Sequence, residues 1–194
     1  MHNDKDLKIR TKWDERYKGE EFALGTDPSP YLAENIDLIK LLAPGKKALD
    51  IACGEGRNSI FLAREGFEVT GLDISKAGLE KALKWMEREN LSIDFRIQDL
   101  EGYEFTETYD LIINFNFLLR DLIPKSVGAL RAGGVIVFDT IMDSPYVPTT
   151  HNKELLLRPG ELSSIFSTFP GKLFLAEERL HDRNPTARLI FQRA

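Results

Sequence analysis

Apolar residues along this chain fall into two alternating patterns, short continuous runs and longer stretches with helical spacing. "PSPYLAENIDLIKLLAPG" sets Leu32, Ile36 and Ile39 at i, i+4 and i+7, which predicts one helix stopped by Pro44-Gly45. "KKALDI" reads as a short buried strand, "GRNSIFLAREG" as a helix closed by Gly66, and "FEVTGLD" as a strand ending at Asp73. Ser75 is the predicted N-cap of "KAGLEKALKWMEREN", whose expected buried face is Leu79, Ala82, Leu83 and Met86. "SIDFRIQD", through Asp99, and "YDLIINF" follow as strands. Pro124 forces a break or a fresh start in "FLLRDLIPKSVGALR". "GGVIVFDT" is nearly continuous in hydrophobicity, as a central parallel strand should be.

The last part of the chain changes character. A Pro/Thr-rich loop and a short helix begun near Pro159 lead to two β-rich stretches, "KLFLAEERL" and "TARLIFQRA", joined by "HDRNP". Strands that alternate with helices and then close in two strands on a short link predict an α/β fold, a mostly parallel sheet with an antiparallel edge. Such a sheet binds ligands at the carboxyl ends of its first strands. A length of 194 residues predicts a single domain over 1–194. Residues 1–27 and 141–158 are the spare segments, and both are expected to cover the site.

Composition narrows the function. A net charge of −5 argues against nucleic acid as a substrate, because phosphate contacts need clustered Lys and Arg. The charged N-terminus lacks signal-peptide character, no apolar run is long enough to span a membrane, and the single cysteine, Cys53, fits a reducing compartment. A cytoplasmic location without membrane association is expected.

The stretch "ALDIACGEGRNSIFLAREGFEVTGLDIS" carries the chemistry. Gly54 and Gly56 let the backbone pass close to a ligand, and the helix beginning near Arg57 points free N–H groups at the same place. Asp73, ending the next strand, is placed to accept hydrogen bonds from two ribose hydroxyls. A dinucleotide fingerprint would have a third glycine where Ser59 stands.

"LDIACGEGRN" and "VTGLDIS" resemble the first and second motifs of class I S-adenosylmethionine (SAM) methyltransferases, and "IQDLEG", "YDLIINF" and "LRAGGVIVFDT" fall where that family has its third to fifth strands. "CGEGRNSIFLA", "WDERY" and "PSPYL" are similar to its TehB-like, tellurite-resistance-type branch. Ala52 departs from the pattern, since many members have glycine there. The resemblance implies a Rossmann-like, seven-stranded, mostly parallel sheet with an antiparallel edge strand and helices on both faces.

It also implies a SAM site, with S-adenosylhomocysteine (SAH) as product. Asp50, Cys53 and Gly54 would line the methionine side, with Asp50 serving the amino group directly or through water, and Ala52, Gly56, Arg57 and Asn58 would be further cofactor contacts. Asp73 would hold the ribose, Ile74 would pack on adenine, Asp99 would accept from the adenine amine with the Leu100 backbone nearby, and Gln98 would be a further cofactor contact. Asn114 and Phe115 would face the methionine end, and Trp13 and Tyr17 would close over the cofactor. Asp110 begins rather than ends its strand and reads as structural.

SAM carries its own electrophile, so the protein must chiefly align an acceptor and exclude water. None of the histidines His2, His151 and His181 follows a strand end in the SAM half, and no Cys/His spacing for a metal is present. The resemblance implies methyl transfer to a small molecule, a thiol or a selenium or tellurium oxyanion, and the want of a placed base favours catalysis by positioning. Arg120, Tyr17 and His151 are candidate substrate contacts. A protein or RNA acceptor and a non-catalytic SAM-binding module stay open, and a NAD-type oxidoreductase is least favoured.

Overall fold

A computed structural model describes residues 2–145, 147, 152–180 and 185–194, with side chains from residue 7 onward. The chain divides into two compact units, residues 1–34 with 46–103, and residues 35–45 with 104–194. The charge-rich N-terminus forms helix α1 (His2–Tyr17). The single helix expected within residues 28–45 is two, α2 (Pro30–Glu34) and α3 (Ile36–Leu42), because Asn35 leaves helical geometry at φ −111° and ψ 7°. Asparagine competes poorly for helix interiors, and Leu32 and Ile39, both fully buried, belong to different units.

In the first unit, β1 (Lys47–Ile51), α4 (Arg57–Arg64), β2 (Glu68–Asp73), α5 (Lys76–Arg88) and β3 (Ile93–Ile97) follow the expected alternation. β1 pairs parallel with β2, and β2 parallel with β3. Gly66, at φ +88°, closes α4. Ser75 Oγ caps α5 by accepting from the Gly78 N–H at 3.1 Å. The buried face of α5 differs from expectation: Leu79 and Ala82 are buried as foreseen, but Trp85 takes the next place and Leu83 is 38% exposed. The large indole outcompetes its neighbours because Phe22 packs edge-on against it, ring centres 5.1 Å apart.

The second unit holds β4 (Tyr109–Phe115), buried throughout, then α6 (Leu122–Ala129) and β5 (Leu130–Ile141). Pro124 sits in the first turn of α6, where its missing N–H has no helical partner to lose. β5 begins earlier than "GGVIVFDT", and that glycine pair marks a bulge, with Gly133 at φ +76° and a register jump between Tyr109 and Leu111 of β4. α7 (Glu161–Phe166) precedes β6 (Gly171–Arg179) and β7 (Thr186–Arg193). β4 runs parallel to β5, while β7 is antiparallel to both β5 and β6.

Among the described residues the strands form a seven-stranded sheet in the order β3-β2-β1-β4-β5-β7-β6. It is the expected mostly parallel sheet, with the antiparallel strands at one edge. No helix among the described residues is long and apolar enough to cross a membrane.

Candidate functional site

The first unit turns sharply between β1 and α4. Ala52, Gly54 and Gly56 all lie at positive φ, +56°, +57° and +82°. Glycine accepts such angles freely, whereas an L side chain resists them, so Ala52 carries the strain that a glycine would relieve. A Cβ on Gly54 would stand 2.8 Å from Tyr17 Oη, and one on Gly56 would stand 2.8 Å from Ala82 Cβ. Gly56 is thus fixed by the packing of α4 on α5, and Gly54 by the tyrosine laid over the turn.

Two buried carboxyls flank this turn. Asp50 Oδ2, in β1, accepts from Ser59 Oγ at 2.6 Å, and the Ser59 N–H adds a second bond. Complete burial pushes the Asp50 carboxyl up to about 7; the Ser59 bonds oppose this and the Asp73 charge adds to it. Asp73 ends β2 as expected. Its Oδ2 accepts from the Gly54 N–H at 2.7 Å and its Oδ1 from the Ser75 N–H at 2.8 Å. Burial raises this carboxyl too, against those backbone bonds. The Cys53 thiol is pushed well up by burial and then by both aspartates, which keeps it protonated and unreactive as a nucleophile.

These residues fit an adenosine with a charged amino-acid tail. Each Asp73 oxygen takes one N–H and keeps acceptor capacity for a hydroxyl. The pair of buried carboxyls suits a cationic ligand better than a phosphate.

Beyond β2, Ile74 is half-buried, and the Gln98 N–H donates to the Asp73 carbonyl at 2.8 Å. β3 stops at Ile97, two residues short of the expected Asp99 end. Asp99 lies in the following turn, where its Oδ1 accepts from the Glu101 N–H at 2.9 Å and its carbonyl from Gln98 Nε2 at 2.7 Å. Leu100 is buried beside it.

The N-terminal segment is fastened to this unit. Trp13 and Tyr17 stack at 5.8 Å, and Tyr17 is buried, its phenol held protonated by burial and then by the charges of Asp73 and Glu55. Asp14 Oδ1 accepts from Ser75 Oγ at 2.6 Å and from the Ala77 N–H at 3.0 Å, at the start of α5. Glu55, 6% exposed, takes the Ala23 N–H and Lys81 Nζ, both at 2.7 Å, and Lys81 also donates to the Glu21 carbonyl. The side chains of Arg57 and Asn58 face the same strap: Arg57 donates to the Leu24 carbonyl and Asn58 Oδ1 accepts from the Ser29 N–H. Asp14, Glu55 and Lys81 were not legible as a set, since their partners lie tens of residues away.

In the second unit, Asn114 and Phe115 are buried at the end of β4, and Asn114 Nδ2 donates to the Phe117 carbonyl at 2.7 Å. Asp110 pairs with Arg131 at 3.0 Å, a structural role as expected. Arg120 also has an acid partner, Glu161. Its guanidinium is forked on that carboxylate at 2.6 and 2.9 Å and donates to the carbonyls of Glu154 and Leu156. Arg120 therefore clasps residues 154–161, which leaves little of it for the oxyanion expected there. With Asp143, Lys153, Glu154, Leu156 and Arg158 it borders a depression of about 400 Å³. His151 and His181 lie outside the described residues, as does the side chain of His2.

Solved structures share this architecture. The chain resembles TehB from Haemophilus influenzae with a TM-score of 0.72 at 24% identity, covering 84% of this chain and 62% of that one. Magnesium protoporphyrin IX methyltransferase from Synechocystis PCC 6803, with bound SAH, gives 0.71 at 16% identity over 97% and 99%. The fold is that of class I SAM-dependent methyltransferases. More narrowly, the family described as tellurite resistance protein TehB matches residues 16–172, and this chain belongs to it. The probable SAM-dependent methyltransferase TehB of H. influenzae is 31% identical over 120 residues, 58% of this chain and 42% of that protein. A ubiquinone biosynthesis O-methyltransferase of Actinobacillus pleuropneumoniae is 32% identical over 145 residues, 61% and 62% of the two chains. The chain thus spans less than two thirds of the length of these curated relatives.

Proposed function

We propose that this protein binds SAM at the β1–α4 turn and the end of β2 and transfers its methyl group to a small-molecule acceptor, a thiol or a selenium or tellurium oxyanion. The observation that carries this reading is Asp73, a buried carboxylate at the end of β2 tied to the glycine turn through the Gly54 N–H. Membership of the TehB family and the class I fold support it.

In this reading Asp73 takes the ribose hydroxyls, and Asp50 supplies negative charge to the amino end. Ile74 covers the adenine face, and Asp99 offers the adenine amine its second carboxylate oxygen. Tyr17, laid over Gly54, excludes water from the turn, and its π face suits a sulfonium. The cofactor brings a methyl group on a positive sulfur, so the protein's share is alignment and a dry site.

Calorimetric titration with SAH and with NADH tests the cofactor. SAH is expected to bind and NADH not to; binding of NADH alone overturns the reading. Asp73→Ala should weaken SAH by roughly 1.5–3 kcal/mol, the range for hydrogen bonds to a charged group. Labelled SAM offered to thiols, selenite and tellurite then tests the acceptor, with transfer to none of them counting against it.

A further inference from the structure

β6 closes the sheet at one end and, among the described residues, pairs with β7 alone. A strand with one neighbour offers alternate backbone N–H and C=O groups on its free side to another chain, and proteins guard such edges by keeping them short or charged. β3, at the other end, is guarded in that way: it has five residues, and Arg96 and Asp94 pair on it at 2.5 Å. β6 runs for nine residues, and its middle, Leu173, Phe174, Leu175 and Ala176, is apolar. Leu175 is 38% exposed, Ala176 is exposed and Phe174 is half-buried.

A bulge decides how this edge can pair with itself. Lys172 stands opposite Gln192 of β7 and Leu173 opposite Phe191, but Leu175 stands opposite Ile190, so Phe174 is an extra residue. Side chains alternate along β7. Lys172 therefore shares a face with Glu177, which opposes Arg188, and Leu173 shares the other face with Ala176, which opposes Leu189. Two copies joined edge to edge about a two-fold axis must oppose residues of the same face. The bulge admits a register in which Lys172 meets the partner's Glu177, Leu173 the partner's Ala176 and Phe174 the partner's Leu175. In an unbroken strand that register would set opposite faces together. Sliding Lys172 on to Glu178 fails for the same reason, since Glu178 opposes Ala187 and lies on the other face.

Charge agrees with this register. Its centre is apolar, and by symmetry a cation meets an acid at both ends. Lys172 bonds no acid among the described residues, and its ammonium lies 4.5 Å from the centre of the Phe174 ring. The Glu177 side chain stays 46% exposed even with Arg188 at 3.1 Å, which leaves carboxylate surface for a second cation.

We propose that β6 is the seat of a two-fold homodimer, in which the edge strands of two copies pair antiparallel, Lys172 against the partner's Glu177, and continue one sheet through both. The inference is independent of the methyl-transfer reading. A strand edge is a small interface, so the dimer is weak and forms with rising concentration.

Sedimentation velocity on the full chain at increasing concentration is expected to show monomer converting to dimer. Lys172→Glu, a change at an exposed position, sets like charges together at both ends and should weaken the dimer about 10-fold or more. Carbodiimide, which joins an amine to a carboxylate in contact with it, is then applied to a mixture of isotope-labelled and unlabelled wild type. Mass spectrometry should find Lys172 joined to the partner's Glu177 in peptide pairs of mixed label. Wild type that stays monomeric up to about 1 mM overturns the proposal. A dimer that Lys172→Glu leaves intact overturns it too, as does a dimer without the mixed-label link between these two residues.

Discussion

Ser59 Oγ donates a 2.6 Å hydrogen bond to Asp50 Oδ2, and both residues are buried, Ser59 completely. The serine stands where a dinucleotide site would have glycine, and it spends its hydroxyl on the acid that begins the motif. Ser59→Ala removes the donor and leaves a buried carboxylate short of a bond, at a cost of about 1–3 kcal/mol. Chemical denaturation at neutral pH should show a loss of that size. An unchanged midpoint would mean that the hydroxyl is replaceable by other donors.

The same pair sets a pH dependence. Asp50 holds its proton more tightly folded, near 7, than unfolded, near 3.8. Its contribution to stability is therefore fully present below the unfolded value and is lost as pH rises through the folded one. A ligand ammonium has the opposite preference, for the ionised form. SAH affinity should thus rise with pH by about tenfold per unit below the Asp50 value and level off above it. Titrations at several pH values check this, and Asp50→Asn should leave only the smaller dependence that Asp73, also raised by burial, supplies.

The β1–α4–β2–α5 segment was legible because each element carried a local signal: an apolar run, a glycine stop at Gly66, a cap at Ser75. What the sequence misplaced was decided by tertiary competition. Trp85 rather than Leu83 fills the buried face of α5 because Phe22 comes from far along the chain to meet it. Arg120, expected as a substrate contact, is taken up instead by Glu161, 41 residues on. Asp139 gave no motif, and its cross-strand neighbour Arg188, itself opposite Glu177, is seen only when β7 and β6 are laid beside β5. Asp73 was found for the reverse reason, since the end of a strand after a glycine turn is a position that pattern alone can mark.

Ala52 and Gly56 should respond to substitution in opposite directions. Ala52 sits at φ +56° with a side chain that region disfavours by about 1–2 kcal/mol, so Ala52→Gly, after the added freedom of the unfolded chain, should be neutral or stabilising by up to about 1 kcal/mol. Gly56→Ala would place a methyl 2.8 Å from Ala82 Cβ at φ +82° and should destabilise by about 1–3 kcal/mol or more. Thermal unfolding of the two variants compares them directly. A loss of stability in Ala52→Gly would contradict the strain assigned to that position.

Asp14 links the N-terminal helix to the site through one oxygen, which receives both Ser75 Oγ and the Ala77 N–H at the start of α5. Ser75 in turn gives its backbone N–H to Asp73. The acid at the end of β2 and the helix that covers the turn therefore share a residue, and a ligand that tightens Asp73 has a short route to α1. Asp14→Ala should cost about 1–2 kcal/mol, as for a lost N-terminal cap, and should speed hydrogen exchange in the amides of residues 7–17. SAH should slow exchange over the same residues in wild type and much less in the variant. Equal protection in both proteins would show that α1 is held by the Glu55 and Lys81 strap and by Tyr17 instead, with Asp14 a bystander to the site.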